Sequence, residues 1–104
     1  MRILITGGAG FIGHNVTRIL EEQGHTCFVV DSFTNYGFIP RQEIKFLSKA
    51  RLQRFDSQVI NADIRDTTRM YNLFNQIQPD TVIHLASFPR QKVVNMSPYW
   101  LVYV

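Results

Sequence analysis

Short, wholly apolar runs alternate along this chain with longer stretches whose apolar residues return every three or four positions. The runs within Arg2–Thr6, Thr26–Asp31, Gln58–Ala62 and Thr81–Ala86 have strand length, and an unbroken apolar run is what a strand covered on both faces requires. Between them, Phe11–Gln23 carries Ile12, Val16, Ile19 and Leu20 as a helical stripe, and Thr68–Ile77 turns Met70, Leu73, Phe74 and Ile77 inward. Gly24 tolerates positive φ and closes the first helix. Pro40 opens a helix that continues to about Arg54, and Asp66 or Thr67 caps the last one. Ser32–Gly37 is a loop and Gln78-Pro79-Asp80 a turn. Strands separated by helices predict right-handed βαβ crossovers and a parallel sheet. The fold class is therefore α/β: a doubly wound sheet of about four strands in the order 3-2-1-4, one domain over residues 1–104. Ligands of such sheets lie at the carboxyl ends of the strands, where the order reverses. Gly7–Gly13, Asp31, Asp63 and Ala86 all fall there.

The first break between patterns holds four glycines, at 7, 8, 10 and 13. Gly8, Gly10 and Gly13 satisfy GxGxxG, and Gly7, Gly10 and Gly13 satisfy GxxGxxG behind Thr6. Strand, glycine turn and helix in that order are the context of a dinucleotide-binding fingerprint. One glycine permits the tight turn, and the next lets backbone approach a pyrophosphate without a Cβ between them. The last lets the helix pack close to the strand, and the helix N-terminus offers free N–H groups to the anion. A glycine-rich turn that binds nothing is the plain alternative. Against it stands Asp31, eighteen residues beyond Gly13 at the end of the second apolar run. A carboxylate at that place accepts hydrogen bonds from adenosine ribose hydroxyls, which favours NAD over NADP because a 2′-phosphate would meet like charge. As a purely structural residue, Asp31 would cap a turn.

Four blocks, Thr6-Gly-Gly-Ala-Gly-Phe-Ile-Gly13, Asp31-Ser-Phe-Thr-Asn35, Asp63-Ile-Arg-Asp66 and His84-Leu-Ala-Ser87, resemble the amino-terminal half of the extended short-chain dehydrogenase/reductases. Within that superfamily the chain is most similar to the NAD-dependent epimerases and dehydratases of nucleotide sugars, from Met1 to about Pro98. The resemblance implies a Rossmann-like fold with NAD as cofactor. It implies cofactor contacts at Gly7, Gly10, Phe11, Ile12, Gly13, Asp31, Ser32, Asn35, Asp63, Ile64, Leu85, Ala86 and Ser87. Asp63 would reach the adenine amino group, although a helix-capping aspartate is an alternative that Asp66 and Thr67 weaken. His84 reads as a structural histidine rather than a base. Arg90 faces the substrate diphosphate or is simply an exposed loop arginine.

The family's chemistry uses a tyrosine with a lysine four residues later, which lowers the tyrosine's pKa so that it serves as base. Four positions after Tyr36, Tyr71 and Tyr99 stand Pro40, Asn75 and Tyr103, and Tyr103 has no such successor. No Tyr-x-x-x-Lys occurs, so catalytic residues are expected to be none. The chain reads as an incomplete NAD-binding domain, truncated before the catalytic and substrate-binding half and not competent alone. The alternative is a non-catalytic dinucleotide-binding module, a sensor or assembly subunit. A third reading is a basic interaction module with a vestigial glycine loop.

Hydrophobic content of 45% with 18% charged residues does not indicate disorder. The charge of +3, from eleven Lys and Arg against eight Asp and Glu, is too mild to call for nucleic acid. Arg41, Lys45 and Lys49 share a helix face that reads as solvated. Lone Cys27 reads as a small buried hydrophobe. No apolar run approaches the ~18 residues of a membrane span, and no signal peptide or metal-ligand pattern is evident. The expectation is a cytoplasmic protein that binds NAD and, in the full-length family, a nucleotide sugar. The aromatic, uncharged Tyr99–Val104 is expected to drive self-association.

Overall fold

The computed structural model describes residues 1–34 and 40–86. Strands β1 (Arg2–Thr6), β2 (Thr26–Asp31), β3 (Gln58–Asn61) and β4 (Thr81–His84) alternate with helices α1 (Phe11–Glu22), α2 (Arg41–Leu52) and α3 (Thr67–Ile77). The strands form one parallel sheet in the order β3-β2-β1-β4, the doubly wound arrangement the hydrophobic pattern predicts. Among the described residues, no helix is long and apolar enough to cross a membrane.

Alternate residues of the central strands bury into opposite layers. Leu4, Val30 and Ile60 join Leu73 and Ile77 of α3 on one face, with Met70 and Phe28 packed against them. Ile3, Ile5 and Cys27 meet Leu20 of α1 on the other, while Val29 gathers Ala9, Phe55 and Leu52 at the end of α2. Cys27 is thus a core residue, and burial pushes its thiol above the ordinary value.

Two polar ties hold the layers in register. Arg2 donates from Nε and Nη2 to the carbonyl of Ile77 at 2.8 and 2.6 Å, closing the carboxyl end of α3. The Glu21 carboxylate accepts from the Ser57 hydroxyl at 2.5 Å and the Ser57 N–H at 2.7 Å. It also accepts from the Asp56 N–H at 3.0 Å, anchoring the approach to β3 on α1.

The structure corrects the helical stripes. Ile12 and Ile19 are 65% and 45% exposed, and the buried residues of α1 are Gly13, His14 and Thr17. A Cβ on Gly13 would overlap the Gly7 carbonyl oxygen, so the helix lies nearly in contact with the loop. Gly13, His14 and Thr17 are the residues that α1 buries, and Ile12 and Ile19 are turned outward. Phe74 is likewise exposed, whereas Leu73 and Ile77 are core. Element ends also move. Asp66 caps α3 through Oδ1, which accepts from the Arg69 N–H at 3.0 Å, and the helix begins at Thr67. The first helix ends at Glu22 before Gly24 at φ 90°, and the second spans Arg41–Leu52 with Pro40 as its cap. The third strand stops at Asn61. The fourth stops at His84, because the next N–H groups turn to Thr6.

Candidate functional site

Thr6 ends β1 and is 3% exposed. Its hydroxyl oxygen accepts from the N–H groups of Leu85 and Ala86 at 3.1 and 3.3 Å and lies 2.6 Å from Nδ1 of His84. With both neighbouring N–H groups donating to it, the hydroxyl proton points to the histidine, whose role is to fasten β4 to β1. Leu85 and Ala86 therefore lie beside the glycine loop, as the strand order requires. Gly7 follows with φ 70°, and a Cβ there would stand 2.8 Å from the Ala86 nitrogen. At Gly8 a Cβ would meet the Val29 side chain at 2.8 Å.

Gly10 is different. It caps α1 with extended backbone, and a Cβ on it would have a single protein neighbour within 4 Å, the Gly7 carbonyl oxygen at 3.3 Å. The space that a side chain would fill there opens beside the first turn of α1, whose leading N–H groups have no intrahelical acceptor. Neither an acidic residue in the first turn nor a capping side chain occupies those donors. This cradle suits a diphosphate on both shape and charge. Phe11 and Ile12 begin the helix beside it, 71% and 65% exposed.

Asp31 closes the adjacent end of β2, with Oδ2 accepting from the Ala9 N–H at 3.1 Å and Oδ1 from the Phe33 N–H at 2.8 Å. It joins the second strand to the glycine loop and also caps its own turn, so both roles weighed from sequence are compatible. A carboxylate has about four lone-pair directions, which leaves capacity for ribose hydroxyls. Ser32 is exposed next to it and pairs with the Thr34 hydroxyl at 2.6 Å. A groove of about 620 Å³ runs from Phe33 along α2 and carries Arg41 and Lys45 on its wall.

Asp63 does not cap α3, since Asp66 does. The Arg65 guanidinium grips its carboxylate through Nε at 2.9 Å and Nη2 at 2.5 Å, and the Arg65 N–H adds a third bond at 2.9 Å. The side-chain bond from Arg65 is the main reason Asp63 titrates below its ordinary value, with the backbone bond and the charge adding and burial opposing. Ile64 is half-buried beside it. Gly7, Gly10, Gly13, Asp31, Asp63, Leu85 and Ala86 are thus gathered at one edge of the sheet, while Asn35, Ser87, Arg90 and Tyr99–Val104 lie outside the described residues. Among those residues no cluster of three or more metal-binding side chains occurs.

Two participants escaped the sequence reading. His14 is 3% exposed in the first turn of α1, with Nδ1 2.9 Å from the Gly10 carbonyl oxygen and Nε2 3.0 Å from Nη1 of Arg54. Its position four residues after Gly10, where a helical side chain meets the carbonyl a turn earlier, is the signal that could have found it.

The sequence profile of the NAD dependent epimerase/dehydratase family matches residues 3–102. The dTDP-glucose 4,6-dehydratase of Salmonella typhimurium is 39% identical over 88 residues, covering 84% of this chain and 23% of that protein. UDP-glucose 4-epimerase 2 of Arabidopsis thaliana is 33% identical over 84 residues, covering 81% of this chain and again 23% of the relative. Among solved structures, the Thermus thermophilus UDP-glucose 4-epimerase in complex with NAD superposes with a TM-score of 0.75 at 26% identity, over all of this chain and 30% of that one. The Stenotrophomonas maltophila UDP-glucose-4-epimerase with bound NAD and formylated UDP-arabinopyranose gives 0.69 at 30% identity, over 99% of this chain and 29% of that one. The chain therefore spans less than a third of the length of these relatives.

Proposed function

The chain belongs to the NAD-dependent epimerase/dehydratase family, and from that membership we propose that it is the NAD-binding portion of an enzyme acting on a nucleotide sugar. The observation that carries the reading is Gly10. The packing of this protein explains Gly7, Gly8 and Gly13, whereas at Gly10 a missing side chain leaves room at a helix N-terminus for a pyrophosphate.

In this reading Gly7–Gly13 cradles the diphosphate through backbone N–H groups, and Phe11 and Ile12 shield it from water. Asp31 accepts the ribose hydroxyls, with Ser32 and Asn35 nearby. Asp63 and Ile64 hold the adenine, the first by its carboxylate and the second by apolar contact. Leu85, Ala86 and Ser87 line the far side, where β1 and β4 diverge, and Arg90 faces the substrate diphosphate. The bound nicotinamide supplies a hydride acceptor. The protein's part is to bind and orient it, since the 104 residues contain no Tyr-x-x-x-Lys. Cytoplasm is the compartment this reading implies.

Titration of the purified chain with NAD and with NADP tests it. NAD is expected to bind more tightly, because Asp31 is a carboxylate where a 2′-phosphate would sit. Asp31→Ala is expected to weaken NAD by roughly ten- to a hundredfold, the worth of charge-assisted hydrogen bonds, and to narrow the preference. Arg41→Ala should lower any residual NADP affinity if the cation in the groove offsets the phosphate. Tighter binding of NADP, or no binding of either, overturns the assignment.

A further inference from the structure

We propose that Arg54 and His14 form a positioning pair, in which Arg54 reinforces the histidine tautomer that holds the Gly10 carbonyl and so presets the glycine loop. The proposal deepens the NAD-binding reading and rests on it for its consequence on affinity.

The argument begins with donors and acceptors. A guanidinium has no acceptor, so the 3.0 Å contact from Arg54 Nη1 requires a lone pair on Nε2 of His14. The ring proton is then on Nδ1, which is what the Gly10 carbonyl oxygen at 2.9 Å needs. Only one neutral tautomer satisfies both contacts, and His14 itself is buried. Without Arg54, the Gly10 carbonyl alone holds the proton on Nδ1, and the bias that the guanidinium sets against the Nε2–H form is lost. In that form Nδ1 presents a lone pair to the Gly10 oxygen, and two acceptors at that distance repel.

The repulsion would be felt in the loop. The Gly10 carbonyl also accepts the His14 N–H at 3.0 Å, the first turn of α1. The Gly10 N–H donates to the Gly7 carbonyl at 3.1 Å, and the Gly7 N–H to Val30 at 2.8 Å. A displaced Gly10 therefore shifts the turn that frames the cradle. The backbone that follows the exposed Arg54 is firmly held. Phe55 is buried against Ala9 and Val29, and Glu21 holds the N–H groups of Asp56 and Ser57. The segment that leads from α2 to β3 thus braces the phosphate loop from beneath, and preorganisation of this kind raises affinity without a new ligand contact.

The test measures the His14 ring by nitrogen–proton NMR in the ligand-free chain, together with NAD titrations. The unmodified chain is expected to show the Nδ1–H tautomer. Arg54→Ala should move it toward Nε2–H and weaken NAD by about tenfold, one hydrogen bond's worth. Arg54→Lys, with donors and no acceptor, should restore both. A merely structural arginine would lower the thermal midpoint and leave the tautomer alone, and that result overturns the proposal. So does Nε2–H in the unmodified chain, or equal NAD affinity in Arg54→Ala. If the unmodified chain takes no NAD, the functional reading fails. The tautomer in Arg54→Ala then decides the pair by itself, a switch supporting it and persistent Nδ1–H overturning it.

Discussion

Gly10 and Gly13 stand three residues apart in one turn, yet a side chain would meet different things at each. At Gly13 it would collide with backbone, so Gly13→Ala is expected to cost roughly 1–3 kcal/mol of stability, the usual range for overpacking. At Gly10 it would enter the cradle. Gly10→Val should abolish NAD binding while circular dichroism and the thermal midpoint stay near those of the unmodified chain, and retained affinity would mean that the loop holds no phosphate. Thr6 gives a second residue-scale prediction. Its buried hydroxyl serves the Leu85 and Ala86 N–H groups and His84, and Leu85 also donates to the Thr6 carbonyl at 3.0 Å, so Thr6→Val should destabilise by about 1–3 kcal/mol chiefly by leaving the Ala86 N–H and the His84 ring without this partner. Urea unfolding measures it, and a neutral outcome would show that the Ala86 N–H finds another acceptor. The sequence reading saw Thr6 as a motif position only, because the chemistry of a hydroxyl depends on which strand end lies beside it.

Among elements, the tie from α1 to the start of β3 rests on Glu21. The Ser57 hydroxyl is the main reason its carboxyl titrates below the ordinary 4.5, with the Asp56 and Ser57 N–H groups adding and burial opposing. A depressed carboxyl contributes stability that is fully present above the unfolded value and is lost as pH falls through the folded one. Asp63, lowered from 3.8 by Arg65, behaves in the same direction. Stability should therefore fall as pH is lowered through the acid range. Glu21→Gln should be less stable at neutral pH by about 1 kcal/mol, with a shallower acid slope. Parallel pH curves for the two proteins would remove Glu21 from the account. The elements themselves were largely legible, since β1, β2 and α3 follow from apolar period, Gly24 and the Asp66 cap. The inward face of α1 was not. Contact with the glycine loop requires a glycine at 13 and buries His14 and Thr17 in place of Ile12 and Ile19, and that is a tertiary condition.

For the molecule as a whole, the proposed reading puts a cofactor site on the sheet and loop, and the 104 residues contain no tyrosine–lysine pair of the kind the family resemblance implies. The 104-residue chain is accordingly expected to form no product from UDP-glucose or dTDP-glucose with NAD. Loss of a general base alone removes roughly 10²–10⁴ in rate, before any loss of substrate positioning. Sensitive detection of sugar products checks this. Product that disappears in Gly10→Val would overturn the expectation and make His84 the first residue to examine, whereas product that survives Gly10→Val does not come from this site.

Local order in the chain was enough to determine a parallel α/β sheet, its strand order and the edge at which a ligand would sit. Those features follow from apolar period, glycine spacing and the handedness of crossovers, which act over a few tens of residues. The tertiary structure alone decided which glycine is free of packing demands, that Asp31 bonds Ala9 across twenty-two positions, and that Asp63 is held by Arg65 rather than capping a helix. It also brought Arg54 to His14 across forty. The contacts of Asp31 with Ala9 and of Arg54 with His14 join residues far apart in the chain, and their partners are set by how helices and loops seat on the sheet, which no local pattern encodes.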